Sequence, residues 1–302
     1  MKKAETMKPR VVVFAYSEVG YSCLSLLFEG GVNVVGVFTH EDDPNETQWF
    51  GSVASLAQEH DVPVYTPDRL SDPGWLGIIK EELRPNLIFS FYYRHLIPME
   101  LLNIASLGAY NMHGSLLPLY RGRAPVNWAV LNGESKTGAT LHHMTESADA
   151  GDIVDQQEVP IGPLDSAAAV MERVLNAARL VLGRQLEALL NGNAPSVPQD
   201  HDRASVYGGR KPADGRIDWN DSAVNIFNLI RAVTKPFPGA FSDDLKAGRR
   251  LLIWWAEPLQ ERALPGVMIQ DDPMIIGTGD GCLRISEFQW MPFQSTAEET
   301  TA

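Results

Sequence analysis

Cysteine is scarce in this sequence, and long apolar runs are missing. Its 302 residues include only two cysteines, Cys23 and Cys282, which lie far apart and outside any CxxC or Cys/His pattern. A disulfide framework and a zinc site are therefore not expected. No apolar run reaches the roughly 18 residues that a membrane span requires. The basic start of the chain leads into only five apolar residues, 11–15, which are too few for a signal-peptide core, so we expect a cytoplasmic protein without membrane contact.

Positive charge is also in short supply. The chain carries 25 Lys and Arg against 38 Asp and Glu, a formal net charge of −13. Proteins that bind nucleic acid normally present a cationic face to the phosphates. The balance disfavours a nucleic-acid partner, although a local basic patch stays open because several basic residues lie near one another in sequence. These are Arg121, Arg123, Arg203, Arg210, Lys211 and Arg216.

The motifs of several large enzyme classes are absent. The turn that follows the first apolar run, residues 14–20, has one glycine where a dinucleotide-binding fingerprint needs three. This disfavours a nicotinamide cofactor. The sequence contains no Walker loop, no HExxH and no GxSxG. We therefore expect neither a metal nor a covalent intermediate on the enzyme.

Apolar runs alternate with stretches of helical periodicity through the first half of the chain. The runs predict strands at residues 11–15, 34–38, 62–65, 87–91, 109–113, 137–144 and 153–161. Helices are predicted at residues 20–30, around 53–57, from 72 onward with Asp72 as its cap, and at 98–104, 125–131 and 165–190. Such alternation requires crossover connections, so the sequence predicts an α/β fold with a mostly parallel sheet.

The last third of the chain changes character. A stretch rich in Pro, Asn, Asp and Gly, about 193–215, is interpreted as a linker between a catalytic domain at 8–200 and a C-terminal domain at 216–302. The second domain begins with one helix, for which Asp221 is the expected cap. Short β runs follow, and they predict a small domain resembling a β-barrel. The runs cover residues 251–255, 266–269, 274–276 and 282–288.

One segment, residues 111–125, has the composition of a functional site. Asn111 and His113 lie two apart at the end of a predicted strand, so both side chains point to the same side with Cα atoms about 6.5 Å apart. In open α/β sheets, ligands bind beyond the carboxyl ends of the strands. The strand stops at Gly114 and enters a loop that carries two arginines, Arg121 and Arg123. These features together favour a functional role for the pair over that of two ordinary polar residues.

A carboxylate for this pair is predicted from residues 148–152, ADAGD, which follow another strand. Asp149 supplies the negative charge that a protonated His113 needs, and we expect it to raise the pKa of His113. The adjacent His142 and His143 face opposite sides of a strand and cannot share a ligand, so we expect one to be buried and one to be solvated. The set suits direct attack of a substrate nucleophile on a carbonyl carbon, with protons moved by His113.

The strings NMHGSLLPLYRG at 111–122 and DAG at 149–151 resemble a known signature, that of the 10-formyltetrahydrofolate-dependent formyltransferases. Residues 231–240, RAVTKPFPGA, resemble the entry to that family's C-terminal domain. The resemblance therefore covers nearly the whole chain, which argues against the single-domain glycinamide ribonucleotide transformylase. It implies a Rossmann-like formyltransferase domain followed by a small OB-like β-barrel domain.

The resemblance implies a role for each matching residue. His113 would be the general acid and base, Asn111 the donor to an oxyanion, and Asp149 the group that orients His113. The co-substrate would be 10-formyltetrahydrofolate, and Tyr16 would contact the sugar nucleotide. The residues implied for folate binding are His95, Leu96, Ile97, Arg123, Thr145, Glu146, Ser147 and Ala148.

Residues 38–44, 89–97 and 120–128 resemble one branch of this family more closely. That branch formylates the 4-amino group of UDP-4-amino-4-deoxy-L-arabinose, a step of lipid A modification that gives polymyxin resistance. Two other enzymes stay open, a methionyl-tRNA formyltransferase and a formyltransferase for a dTDP- or GDP-linked 4-amino sugar. A non-enzymatic nucleotide- or folate-binding module on the same fold is a further alternative. The oligomeric state is left open.

Overall fold

The computed structural model describes residues 8–41, 51–244 and 247–292. The chain divides into two compact units, and neither is one continuous segment. The first comprises residues 1–125, 136–160 and 172–208, and the second comprises residues 126–135, 161–171 and 209–302. Residues 42–44 of one resembling segment and residues 293–302 of the expected C-terminal domain lie outside the described residues.

The strands of the first unit are short. They are β1 Val11–Ala15, β2 Val34–Phe38, β3 Val64–Tyr65, β4 Leu87–Phe91, β5 Ala109–His113, β6 Arg121–Gly122, β7 Lys136–His143, β8 Ile153–Pro160 and β9 Val206–Tyr207. Seven of them form one sheet in the order β3-β2-β1-β4-β5-β7-β8, while β6 pairs separately with β9. The first five strands in this order are parallel, and β7 and β8 are antiparallel to their neighbours. The expected α/β fold with a mostly parallel sheet is confirmed.

The helices before residue 200 are those that the periodicity predicts, with small differences at their ends. They are α1 Ser17–Glu29, α2 Val53–Glu59, α3 Pro73–Gly77, α4 Met99–Leu102, α5 Pro125–Leu131 and α6 Ala167–Leu190. A π-helical segment, Ile78–Leu83, continues α3. The predicted side-chain cap at Asp72 is wrong, because Asp72 makes no capping hydrogen bond; Pro73 follows it in the first turn, where an amide donor is not needed. No helix in the described ranges is long and apolar enough to cross a membrane.

The core of the first unit follows from its apolar runs. Every residue of β1 and β4 is buried, as in a sheet covered on both faces. The rings of Phe14 and Phe38, on neighbouring strands, stack with centroids 4.7 Å apart. Cys23 lies on the buried face of α1, and burial raises its pKa to about 12, so the thiol is protonated and acts as a small apolar side chain.

The second unit is built on a five-stranded antiparallel sheet. Its strands and helix are β10 Ala240–Asp244, β11 Arg249–Leu259, β12 Met268–Asp271, β13 Met274–Gly277, β14 Cys282–Pro292 and α7 Ala223–Val233. The sheet order is β10-β11-β14-β13-β12, and the four predicted β runs are confirmed as strands. The sequence did not predict β10. The expected cap at Asp221 is wrong, because the hydroxyl of Ser222 accepts the Asn225 amide at 3.1 Å and caps α7.

Asp243 of β10 is a buried charge that pairs with two arginines. Its side chain is 2% exposed, and its carboxylate oxygens accept from Arg250 at 2.6 and 3.0 Å and from Arg216 at 2.9 Å. Both guanidinium groups also lie over the ring of Phe241. Burial alone would raise the pKa of Asp243, but the hydrogen bonds and charges of the two arginines hold it below its usual value.

Asp243→Asn should lower the free energy of unfolding by about 1–3 kcal/mol, because a neutral amide leaves two partly exposed guanidinium groups without their buried counter-charge. The matched control is Asp244→Asn, since Asp244 pairs with Arg249 and both side chains are exposed. Its loss should cost no more than about 0.5 kcal/mol. Urea unfolding followed by tryptophan fluorescence measures both variants, and equal effects would contradict a structural role for the buried pair.

Candidate active site

The polar residues singled out by the sequence meet at one end of the sheet in the first unit. Asn111 and His113 lie on β5, and the antiparallel pairing with β7 places His142 directly opposite Asn111. Alternate residues of a strand share a face, and so do directly paired residues, so these three side chains lie on one side of the sheet. Asp149 comes from the loop that joins β7 to β8.

The carboxylate of Asp149 is the meeting point of the cluster. Its Oδ1 atom lies 3.5 Å from His113 Nδ1 and 3.5 Å from His142 Nε2, and accepts a hydrogen bond of 3.3 Å from Asn111 Nδ2. Its Oδ2 atom accepts the backbone N–H of Gly122 at 2.9 Å. The structure therefore brings Asn111 and His113 each into contact with Asp149, and it adds His142 to the cluster.

His113 is held in one tautomer by the main chain. The imidazole is 5% exposed, and its Nε2 lies 2.8 Å from the carbonyl oxygen of Tyr120. A carbonyl can only accept, so Nε2 carries a proton, and Nδ1 beside Asp149 is the nitrogen that can gain or lose one. Burial lowers the pKa of His113, and it outweighs the opposing effects of the Asp149 carboxylate and the Tyr120 carbonyl. The predicted effect of Asp149, which raises the pKa of His113, is confirmed, but the net pKa is lowered because the ring is far more buried than the sequence indicates.

Asp149 remains ionised in this cluster. Burial alone would raise its pKa, but nearby His113, the neighbouring His142 and the Gly122 amide together hold its pKa well below the usual range. The described residues thus hold a fixed negative charge beside a ring that is neutral near neutral pH. Such a ring can take up a proton, and the carboxylate stabilises the imidazolium that results.

His142 has a place in the cluster that its sequence context did not indicate. It is buried, as expected for one of the two adjacent histidines, and it also contacts Asp149 and Asn111, which the sequence did not predict. Its Nδ1–H donates to the backbone oxygen of His143 at 2.8 Å, so Nε2 accepts from Asn111 Nδ2 at 3.0 Å. With the bond to Asp149, both N–H groups of the Asn111 amide are used inside the cluster.

The loops around the cluster have strained backbone conformations. Tyr120, at φ +59°, and Asp149, at φ +54°, lie in the left-handed region that side chains other than glycine rarely adopt. Gly122 has φ +97°, and a Cβ there would collide with the backbone oxygen of Tyr207, the residue paired with it in β9. Glycine at position 122 therefore allows the β6 backbone to approach β9 closely. In this conformation the Gly122 N–H points at Asp149.

Most residues implied for folate binding are accessible. His95 and Leu96 are exposed, Leu96 by 77%, and so are Arg123 and the loop residues Thr145, Glu146, Ser147 and Ala148. Ile97 differs, since it is buried in a hydrophobic cluster of the first unit. Met144 packs against the same cluster, and the exposed residues Leu96 and Thr145 are the chain neighbours of Ile97 and Met144.

Tyr16, implied as a contact to the sugar nucleotide, is 3% exposed. Its ring packs edge-on against His40 with centroids 5.1 Å apart, and the Arg94 guanidinium lies 4.4 Å from its centroid. Tyr16 is therefore covered by His40 and Arg94, which lie in the segments that follow β2 and β4. No group of three or more His, Cys, Asp or Glu side chains that could hold a metal occurs in residues 8–41, 51–244 and 247–292.

Asp149→Asn should lower the pKa of His113 further, because the attraction of the carboxylate is lost while the burial of the ring is kept. An NMR titration of the His113 imidazole in the full chain measures this pKa. The control is Asp152→Asn, which removes a carboxylate of the same loop that accepts from the Ser196 hydroxyl at 2.6 Å. The control should leave the titration unchanged, and a His113 pKa that stays constant or rises in Asp149→Asn would refute the contact.

Solved structures resemble the chain over almost its whole length. The N-formyltransferase from Helicobacter canadensis, in complex with folinic acid and dTDP-3-aminofucose, has a TM-score of 0.72 at 20% identity and covers 94% of this chain and 100% of its own. WlaRD, a sugar 3N-formyl transferase in the presence of dTDP and 5-N-formyl-THF, has a TM-score of 0.73 at 20% identity, covering 93% and 98%. HypX from Aquifex aeolicus, with tetrahydrofolic acid, scores 0.64 at 21% identity, covering 95% and 46%. These likenesses show a shared fold.

Two family models match successive parts of the sequence. The model described as formyl transferase matches residues 10–186, and the model described as formyl transferase, C-terminal domain, matches residues 210–298. The two matches together span far more than half of the chain, and the first contains the whole cluster around Asp149. The chain therefore belongs to the formyl transferase family, and it is a formyltransferase.

Proposed function

We propose that this enzyme transfers a formyl group from 10-formyltetrahydrofolate to the 4-amino group of a nucleotide-linked sugar. The observation that carries the proposal is that Asn111 and His113 both contact the half-buried carboxylate of Asp149. This arrangement offers a base, a fixed negative charge and an amide donor. These are the groups needed when an amine attacks a formyl carbon directly.

The exposed residues that the resemblance implies for folate binding have the chemistry that a folate requires. When bound, 10-formyltetrahydrofolate supplies the formyl group. Leu96 offers an apolar surface for a planar ring, and the neighbouring His95 and the loop at 145–148 offer polar groups. Ile97, being buried, supports this surface from below, and Arg123 offers a positive charge to a carboxylate.

His113 takes the proton that the attacking amine loses. Its lowered pKa keeps the ring neutral, and because Nε2–H is bonded to Tyr120, the proton goes to Nδ1. Asp149 then stabilises the imidazolium. The same nitrogen passes the proton to the folate nitrogen that leaves, so one C–N bond forms, one breaks and one proton is carried across.

Asn111 stabilises the negative charge that develops on the formyl oxygen. At rest its N–H groups donate to His142 at 3.0 Å and to Asp149 at 3.3 Å. The longer bond weakens when Asp149 turns toward a protonated His113, and this frees one N–H for the oxygen. Proton uptake by His113 and oxyanion stabilisation by Asn111 are thereby coupled through one carboxylate.

The acceptor that the sequence favours is UDP-4-amino-4-deoxy-L-arabinose, since three segments resemble the formyltransferase domain of ArnA. The product would then serve lipid A modification and polymyxin resistance. The net charge of −13 supports a small acceptor over a tRNA. The ligands named for the two sugar formyltransferases above carry dTDP, which keeps a dTDP-linked sugar as the second candidate.

His113→Ala should lower kcat by about 10²–10⁴ through loss of proton transfer. Asn111→Ala should lower kcat by about 10²–10³ through loss of an oxyanion donor. The control is His143→Ala, because this ring faces the other side of β7 and packs on Tyr110 with centroids 4.7 Å apart. Tetrahydrofolate release measures turnover, and circular dichroism verifies the fold. Near-normal turnover of folded His113→Ala would contradict the proposed role of His113 in proton transfer.

The acceptor is identified by comparing kcat/KM for UDP-4-amino-4-deoxy-L-arabinose with that for dTDP- and GDP-linked 4-amino sugars and a dTDP-linked 3-amino sugar. The UDP sugar should give the highest value. A higher value for a dTDP sugar would overturn the acceptor and leave formyl transfer intact. Methionyl-tRNA should be neither formylated nor bound, whereas tRNA binding that weakens steeply with salt would favour the tRNA enzyme.

A further inference from the structure

Gln199 is a buried amide in the stretch that the sequence presents as a linker. Its residue is 5% exposed, and all of its polar capacity is used inside the first unit. The Nε2 group donates to the backbone oxygens of Asp149 at 2.9 Å and Gly151 at 2.6 Å. The Oε1 atom accepts from Arg121 Nη2 at 2.6 Å and from Arg121 Nε at 3.2 Å.

These bonds join the two loops that fix the Asp149 carboxylate. Gln199 holds the backbone of Asp149 from one side, and it holds the side chain of Arg121 from the other. Gly122, the residue after Arg121, donates its backbone N–H to Asp149 Oδ2. A closed ring of contacts therefore runs from Gln199 through Arg121 and Gly122 to the Asp149 carboxylate, and returns through the Asp149 backbone.

The backbone of Asp149 needs such support. Its φ of +54° is unfavourable for an aspartate and persists only where surrounding contacts enforce it. Two donors from one buried amide enforce it at residues 149 and 151. A side chain displaced by about 1 Å near a reacting centre can cost on the order of 10²-fold in rate, so this support bears on activity.

We infer that Gln199 is a positioning residue that holds the Asp149 carboxylate beside His113. It touches neither His113 nor Asn111 through any bond described above, and it acts through the loop. The inference rests on the proposed function as far as turnover is concerned, but the placement of Asp149 against His113 has a readout of its own.

The test compares Gln199→Leu with the wild-type enzyme. The variant removes all four hydrogen bonds and nearly keeps the volume. We expect kcat to fall on the order of 10–100-fold with KM for both substrates little changed, because the loss lies in alignment and not in binding. The pKa of His113, followed by NMR, should shift downward, in the same direction as in Asp149→Asn.

Gln156→Leu is the matched control for a merely structural effect. Gln156 is a half-buried amide of the same unit, and it donates to the Leu117 carbonyl at 2.9 Å and to the Thr140 hydroxyl at 2.8 Å. It should lower stability as Gln199→Leu does, while the His113 titration stays in place. Should Gln199→Leu not fold, Gln199→Glu takes over the test, since it keeps an acceptor for Arg121 but loses both donors to the loop.

The outcomes separate the two proposals. A Gln199 variant with wild-type kcat and an unmoved His113 titration overturns the inference, whatever the substrate is. A shifted titration in an enzyme that transfers no formyl group to any amino sugar upholds the positioning role and overturns the proposed function. Equal shifts in the Gln199 and Gln156 variants would show a general loosening of the unit, and they too would overturn the inference.

Discussion

The site depends on one half-buried carboxylate, that of Asp149, which has more neighbours than oxygen atoms. Asp149 meets an amide, two imidazoles and a backbone N–H, so any change in one partner alters what the carboxylate can offer the others. The surrounding structure is arranged around this constraint. The register of β5 and β7 sets the positions of the ring and amide partners, and the close approach of β6 to β9 supplies the N–H.

Much of the fold could be predicted because runs of apolar residues in the sequence indicate which strands are buried. The runs of β1 and β4 are apolar throughout, and they are buried throughout. The strand β10 was missed because its sequence, AFSDD, is largely polar. The first of its two aspartates, Asp243, is buried only because two arginines neutralise it. The caps at Asp72 and Asp221 failed because a capping side chain must also reach the helix N–H groups, which the residue type alone does not decide. The linker at 193–215 and the domain limits stay predictions.

The candidate site divides in the same way. Asn111, His113 and Asp149 could be grouped because each follows or ends an apolar run. Their contact is now seen, whereas their catalytic roles, the folate set and Tyr16 stay predictions. His142 could have been found from a pairing register, which needs the neighbouring strand to be known. Gln199 gave no local signal, since a polar residue among Pro and Asp is ordinary. The upward effect of Asp149 on the pKa of His113 could be predicted, but the larger downward effect of burial could not, because the depth of burial depends on the whole sheet.

The bond between His113 and Tyr120 is made to a backbone carbonyl. No replacement of the Tyr120 side chain deletes that oxygen. The backbone conformation of the turn, and not the identity of residue 120, therefore decides which nitrogen of the imidazole is protonated. A different side chain at this position keeps the same proton on the imidazole, provided that the turn keeps its backbone conformation. Insertions or deletions between the histidine and β6 are the changes that would release it.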